Sequence, residues 1–243
     1  MPADRVVAVH QPNYLPYLGF FHKMRQATVF VLYDTAQFTR NGFTNRNQIK
    51  TPNRAHWLTV PIRGIGHQAI MDVEIASKLW AKKHLRSLQA NYQRAPYFSS
   101  YFSELSSTLL RPWTKLSELN IALIRCLSRC LSIETRLVLA STLPAPPADD
   151  PTEKLVHFTV ACGGSVYLSG SSGRTYLVEG KLGDISVRYA EFVARPYPQL
   201  HGTFVPNLSA IDALFNCGDK ASGLLESFGD TAVERVNPKH HEA

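Results

Sequence analysis

Apolar and polar positions along the chain switch between two periods, and the switches mark out the elements. Residues 5–9, RVVAV, form a short apolar run that predicts a buried strand. The next stretch, HQPNYLPYLGFF, carries two prolines and a glycine and predicts a loop. Residues 19–27 fit a helix, and VFVLYD at 29–34 is an almost continuous apolar strand. Strand, loop, helix and strand within about 30 residues make the footprint of a βαβ unit. A strand that is apolar throughout needs cover on both faces, as in a parallel sheet. Residues 35–54 are polar, rich in asparagine and without period, so they read as one long loop. HWLTVPI at 56–62 predicts another strand, and IGHQAIMDVEIA at 65–76 a weaker hairpin partner.

A helical stretch follows. Residues 80–93 have apolar positions near helical spacing and are closed by Pro96; residues 97–110 and 114–131 predict two more helices, the last strongly amphipathic. TRLVLAS at 135–141 returns to a strand, and LPAPPADD at 143–150 reads as a linker. Asp150, Pro151 and Glu153 then supply a cap, a first-turn proline and an N3 acid for a helix that ends at Gly163-Gly164. SVYLSG at 165–170 and ISVRYAEF at 185–192 predict strands, and Ser209 opens a last helix running to Phe215. This alternation argues for an α/β fold: a Rossmann-like, mainly parallel sheet with a helical insertion at 78–133. The expected organisation is one domain over 1–243, with a disordered tail at 237–243.

Composition adds limits. With 44% hydrophobic residues among 243, the chain can bury a sizeable core. Its 26 Lys and Arg exceed its 19 Asp and Glu, for a net charge of +7. That excess suits a small-molecule anionic substrate or a carrier-protein-bound intermediate. The basic residues are scattered rather than clustered, so no nucleic-acid partner is expected. No stretch approaches the roughly 20 apolar residues of a membrane span, and the start lacks the pattern of a signal peptide. The expectation is therefore a cytoplasmic protein with no membrane contact. Four cysteines without a C-x-x-C pair fit a reducing compartment and give no reason to expect a metal. The sequence leaves cofactor and oligomeric state open.

Candidate chemistry gathers at the predicted strand ends. In open α/β sheets ligands bind outside the carboxyl ends of the strands. His10, Gln11, Asn13 and Tyr14 leave the first strand there, and Gly19 offers close backbone approach at a helix start. Asp34 ends the second strand, so His10 and Asp34 are expected to form an acid–base pair. Gln37, Arg40, Asn45, Arg46 and Asn47 occupy the long loop; the arginines would grip a phosphate or carboxylate. A carboxy-terminal loop adds Gln199, His201, Asn207 and Ser209, with His201 as a further catalytic candidate, and is expected to close over the ligand. Ser169 to Arg174, SGSSGR, is a weaker anion cradle without the pattern of a P-loop.

Taken jointly, HQPNYLPYLGFFHKM, VLYDTAQF, NRNQIKTPN with WLTVPI, NYQRAPYF, VYLSGSSGRTYL and YPQLHGTFVPNLSAIDALFNCG resemble the WbqC-like proteins over residues 6–218. Tyr17 and Phe43 stand where tryptophan is common in that family, and both keep an aromatic ring. The resemblance implies an enzyme of surface-glycan (O-antigen) or specialised-metabolite biosynthesis. The resulting expectation is a transferase that forms an amide by moving an acyl or aminoacyl group onto an amino sugar or a carrier-bound amine. The first βαβ also resembles nucleotidyltransferases with an H-x-G-H loop, although Pro16 and Gly19 fall near the two histidine positions. Nucleotidyl transfer or ATP-dependent ligation is the alternative chemistry, and a non-enzymatic binding module the alternative class.

Overall fold

A computed structural model of the chain describes residues 4–64, 68–147 and 149–226. Five strands build one sheet: β1 (Val6–His10), β2 (Val29–Leu32), β5 (Arg136–Leu139), β6 (Val166–Gly170) and β7 (Ser186–Ala190). They lie in the order β5-β2-β1-β6-β7, and every pairing is parallel. The first three run outward to one edge and the last two to the other. The order therefore reverses between β1 and β6, which is the crevice a doubly wound sheet offers to ligands. The expected Rossmann-like parallel sheet is present.

Burial explains the strand sequences. Val7 and Val9 face one core layer with Phe158 of α5 (Pro151–Ala161), while Val6 and Ala8 face the other with Phe20 of α1 (Leu18–Arg25). Both faces are covered, so β1 and β2 are apolar without alternation. The start of α5 follows the expected chemistry: the Asp150 carboxylate accepts from Thr152 N at 2.9 Å and Glu153 N at 3.1 Å, with Pro151 in the first turn. Gly163, just past its end, has φ +68°, a left-handed cap that glycine takes without strain.

The insertion is helical as expected: α2 (Trp80–Tyr92), α3 (Phe98–Leu109) and α4 (Leu116–Cys130) lie between β4 (Ala55–Thr59) and β5. One expectation fails in front of it. Residues 35–54 are not all loop, because Arg46–Lys50 forms β3, antiparallel to β4. Asn47 and Ile49 face inward there, so a polar residue holds an inward position and breaks the apolar alternation. Of the expected partner at 65–76, the described residues 68–76 form a 3-10 turn at Ile70–Asp72 and pair with the preceding segment through one antiparallel bridge, Ile62–Ile75. Helix α6 (Ala210–Cys217) closes the fold, capped by Ser209. The tail at 237–243 lies outside the described residues. Among those residues, no helix is long and apolar enough to cross a membrane.

Candidate functional site

A cavity of about 710 Å³ opens at the carboxyl edge of the sheet, over the point where the strand order reverses. Val9 and His10 reach it from β1 and Gln11 from just beyond it, Tyr167 and Gly170 from β6, Lys23 from α1, and Pro151, Lys154 and Leu155 from the first turns of α5. Asn13, Gln37 and Phe43 come from the loops after β1 and β2. No Asp or Glu is among the described residues that line it.

His10 is half-buried and wedged between aromatic rings: Phe20 meets it edge-on at 4.8 Å and Phe30 stacks at 6.4 Å, centroid to centroid. Its Nδ1 lies 2.9 Å from the Gln11 carbonyl oxygen. A carbonyl only accepts, so Nδ1 carries the proton and Nε2 keeps the lone pair. Burial, then the repulsion of Lys23, push the imidazole pKa down to about 4, so the ring is neutral at pH 7.

Lys23 is a feature that the strand-end reasoning passed over. Only 6% of it is exposed, and its Nζ donates to the Val9 carbonyl at 2.9 Å. No carboxylate pairs with it among the described residues. Burial lowers its pKa to about 7. The sequence held one signal for it: LGFFHKMR is so apolar that α1 buries seven of its eight positions, its lysine included. The Tyr167 ring lies 6.0 Å from Nζ, and burial holds that phenol well above its ordinary pKa. Lys154, at the rim, is paired with Asp149 at 2.6 Å.

The expected His10–Asp34 pair is not made. Both Asp34 oxygens accept from Ser141, one from its N at 2.9 Å and one from its Oγ at 2.6 Å. Asp34 thus ties the end of β2 to the turn after β5, a cap on loop geometry rather than a partner for the imidazole. The expected arginine cradle is also elsewhere. Arg40 is exposed, and Arg46 stacks its guanidinium 4.3 Å from the Trp57 centroid and donates to the Asn41 carbonyl; neither lines the cavity. At Gly19 the Tyr17 ring fills the space a side chain would take, 2.4 Å from the position of a Cβ, and Gly19 does not line the cavity.

Several of the polar candidates hold loops. Asn47 donates to the Tyr14 and Leu15 carbonyls at 3.3 and 2.7 Å, fixing a turn in which Leu15 takes φ 42°. Asn45 donates to the Val60 carbonyl. Tyr14 is fully buried, with its hydroxyl 2.8 Å from His84 Nδ1. Gln11 and Asn13 line the cavity, as does Gln37, which also bridges to Ala69.

The carboxy-terminal loop does not close over this cavity, since none of its residues line it. Gln199 clamps both backbone groups of Val205, and His201 Nε2 meets the Asn91 carbonyl at 2.9 Å. Asn207 is exposed at a left-handed turn, and Ser209 caps α6. The loop is anchored on a buried network that sequence reasoning did not foresee. The Asp212 carboxylate accepts from Tyr92 at 2.6 Å and Tyr197 at 2.9 Å, while Lys50 donates to the carbonyls of Gly202 and Thr203. The SGSSGR turn reaches the cavity through Gly170 and Ser172. Glu104, Cys126 and Cys130 bring possible metal-ligand atoms within 4.8 Å of one another on α3 and α4, with Glu104 paired to Arg129.

The sequence profile of the WbqC-like protein family matches residues 11–223. The chain is also 36% identical over 225 residues to a protein of Mycobacterium tuberculosis named Uncharacterized protein Rv1507c, a match covering 90% of this chain and 96% of that relative. The matched span begins at Gln11, immediately after β1, and takes in the cavity's later contributors and α6. The chain therefore belongs to the WbqC-like protein family.

Proposed function

We propose that this protein is an acyl or aminoacyl transferase that forms an amide on the amino group of a small anionic acceptor, such as an amino sugar, or on a carrier-bound amine, in glycan or specialised-metabolite biosynthesis. The observation that carries this reading is His10: neutral, oriented by the Gln11 carbonyl, and with an Nε2 lone pair that meets no donor among the described residues. Amide formation needs such a group. The acceptor ammonium must lose a proton to solvent before its nitrogen attacks the acyl carbon, and a second proton leaves that nitrogen as the tetrahedral adduct collapses. His10 takes that proton, and the side-chain amides of Gln11, Asn13 and Gln37 are the donors for the oxyanion. The leaving thiol or alcohol takes a proton back from the imidazolium. Asp34 and His201 have no part in this scheme: both Asp34 oxygens are spent on Ser141, and His201, held through Nε2 on the Asn91 carbonyl, does not line the cavity.

The test is amine-dependent thiol release. The protein is incubated with acyl and aminoacyl thioesters and a panel of nucleotide-linked amino sugars, and free thiol is followed. Release that requires both substrates is expected, and H10Q should reduce kcat by about 100-fold or more. Undiminished kcat in H10Q removes His10 from the chemistry. The strand order also favours a second reading, because a doubly wound sheet places nucleotides at its switch point. Calorimetry with ATP decides that one: a nucleotidyltransferase or ligase binds it in the millimolar range or tighter. A non-enzymatic binding module would bind ligands and turn none over.

A further inference from the structure

A buried ammonium without a counter-ion is costly, since the desolvation it suffers is not offset by an opposite charge. Lys23 is in that position. One neutral carbonyl satisfies one of its three possible hydrogen bonds, and no described residue that lines its cavity carries a carboxylate. The titratable groups that line the cavity with it are His10 on β1, Tyr33 after β2, Lys154 on α5, Tyr167 on β6 and Tyr176 in the loop that follows; none is a carboxylate, and Lys154 is paired with Asp149. Such a lysine has two ways out. It sheds its proton, or it takes a negative ligand that enters the cavity.

We propose that Lys23 is the anion subsite of this cavity, holding an oxyanion of the ligand, a carboxylate or a phosphate, on its ammonium while the reacting group lies against His10. The idea rests on the proposed acyl transfer for the role of His10, and not for the binding itself. It moves the anion site from Arg40 and Arg46 to a residue inside the crevice. It also couples the two groups. Lys23 depresses the basicity of His10 by charge repulsion, and an oxyanion on Lys23 cancels that repulsion.

In the empty site at neutral pH Lys23 is only partly protonated, so an oxyanion that binds the ammonium must draw a proton from solvent. Calorimetry of the full chain with sulfate, and separately with acetate, reads this directly, because neither ion titrates between about pH 6 and 9. Titrations at pH 7.5 in buffers of different ionisation enthalpy give the number of protons taken up. We expect one of the two ions to bind with uptake of a fraction of a proton, and the apparent Kd to rise about tenfold per pH unit above pH 7. The sulfate and acetate arms separate a phosphate-like from a carboxylate ligand. K23M should weaken binding at least tenfold. K23R keeps a charge that does not titrate, so it should bind without proton uptake, and it serves if K23M fails to fold. Absence of binding by both ions, unchanged affinity in K23M, or proton uptake that persists in K23R would each overturn the assignment. Failure of the thiol-release assay with intact sulfate binding would instead remove the acyl-transfer chemistry and leave the anion subsite standing.

Discussion

At the scale of single residues, the site is defined by two titratable groups whose burial was not readable from their types. His10 was visible because it ends a strand. Lys23 was not, because a lysine in a helix is ordinarily solvated, and only the apolar run around it says otherwise. Its burial has a stability consequence with a definite sign. The pKa is lowered from 10.5 to about 7, so between those values the unfolded chain binds a proton that the folded chain does not. Stability then rises with pH through that window and carries the full cost of burying the charge below it. K23M lacks this dependence. Its stability relative to the wild type should be most favourable below pH 7 and should decline by about 1.4 kcal/mol per unit as pH rises toward 10. Urea unfolding of both proteins at pH 6, 7.5 and 9 measures it, and parallel curves would show that Lys23 finds solvent in the folded state.

At the scale of elements, β1, α1, β2, α5 and β6 were legible because local rules agreed with the tertiary structure. Apolar runs became two-sided strands, and Asp150-Pro151 became a capped start. The short strand β3 was hidden because its inward residue Asn47 is polar and its amide N–H groups find their acceptors only in carbonyls 32 and 33 positions away. The Asp34 role was hidden for the same reason: Ser141 is distant in sequence. Helix α2 shows how such long-range bonds tie elements together. His84 accepts from the Tyr14 hydroxyl at Nδ1, and its Nε2–H donates to the Thr59 carbonyl at 3.2 Å, joining α2 to the first loop and to β4. Burial lowers its pKa from 6.5 to about 4. The unfolded chain therefore takes up the proton first, and this stability is present above pH 6.5 and lost as pH falls toward 4. H84Q offers an oxygen to Tyr14 and an N–H to Thr59 without titrating. Between pH 7 and 4.5 it should lose about 2–3 kcal/mol less stability than the wild type. Equal losses in acid denaturation monitored by tryptophan fluorescence would rule out His84 as an acid-labile link.

At the scale of the whole molecule, the order of the strands decides where ligands go. The sequence named two loop systems, one after β1 and one before α6, and joined them into a single site. The fold separates them. The reversal of order at β1 and β6 opens a crevice lined by α1, α5 and the loops after β1, β2 and β6. The stretch before α6 is instead locked by Asp212, Tyr92, Tyr197 and Lys50, groups that already satisfy one another. A loop held by a filled polar network has little left to offer a ligand, and breaking that network would strand buried polar groups at about 1–3 kcal/mol each. Ligand-induced protection should follow this division. In hydrogen exchange with saturating sulfate or acetate, amides at the ends of β1 and β6, in the loop from Gln11 to Asn13 and in the first turn of α5 should slow. Those from Tyr197 to Asn207 should exchange at their unliganded rate. Slowing confined to the latter stretch would mean that the carboxy-terminal loop, and not the sheet's switch point, receives the ligand.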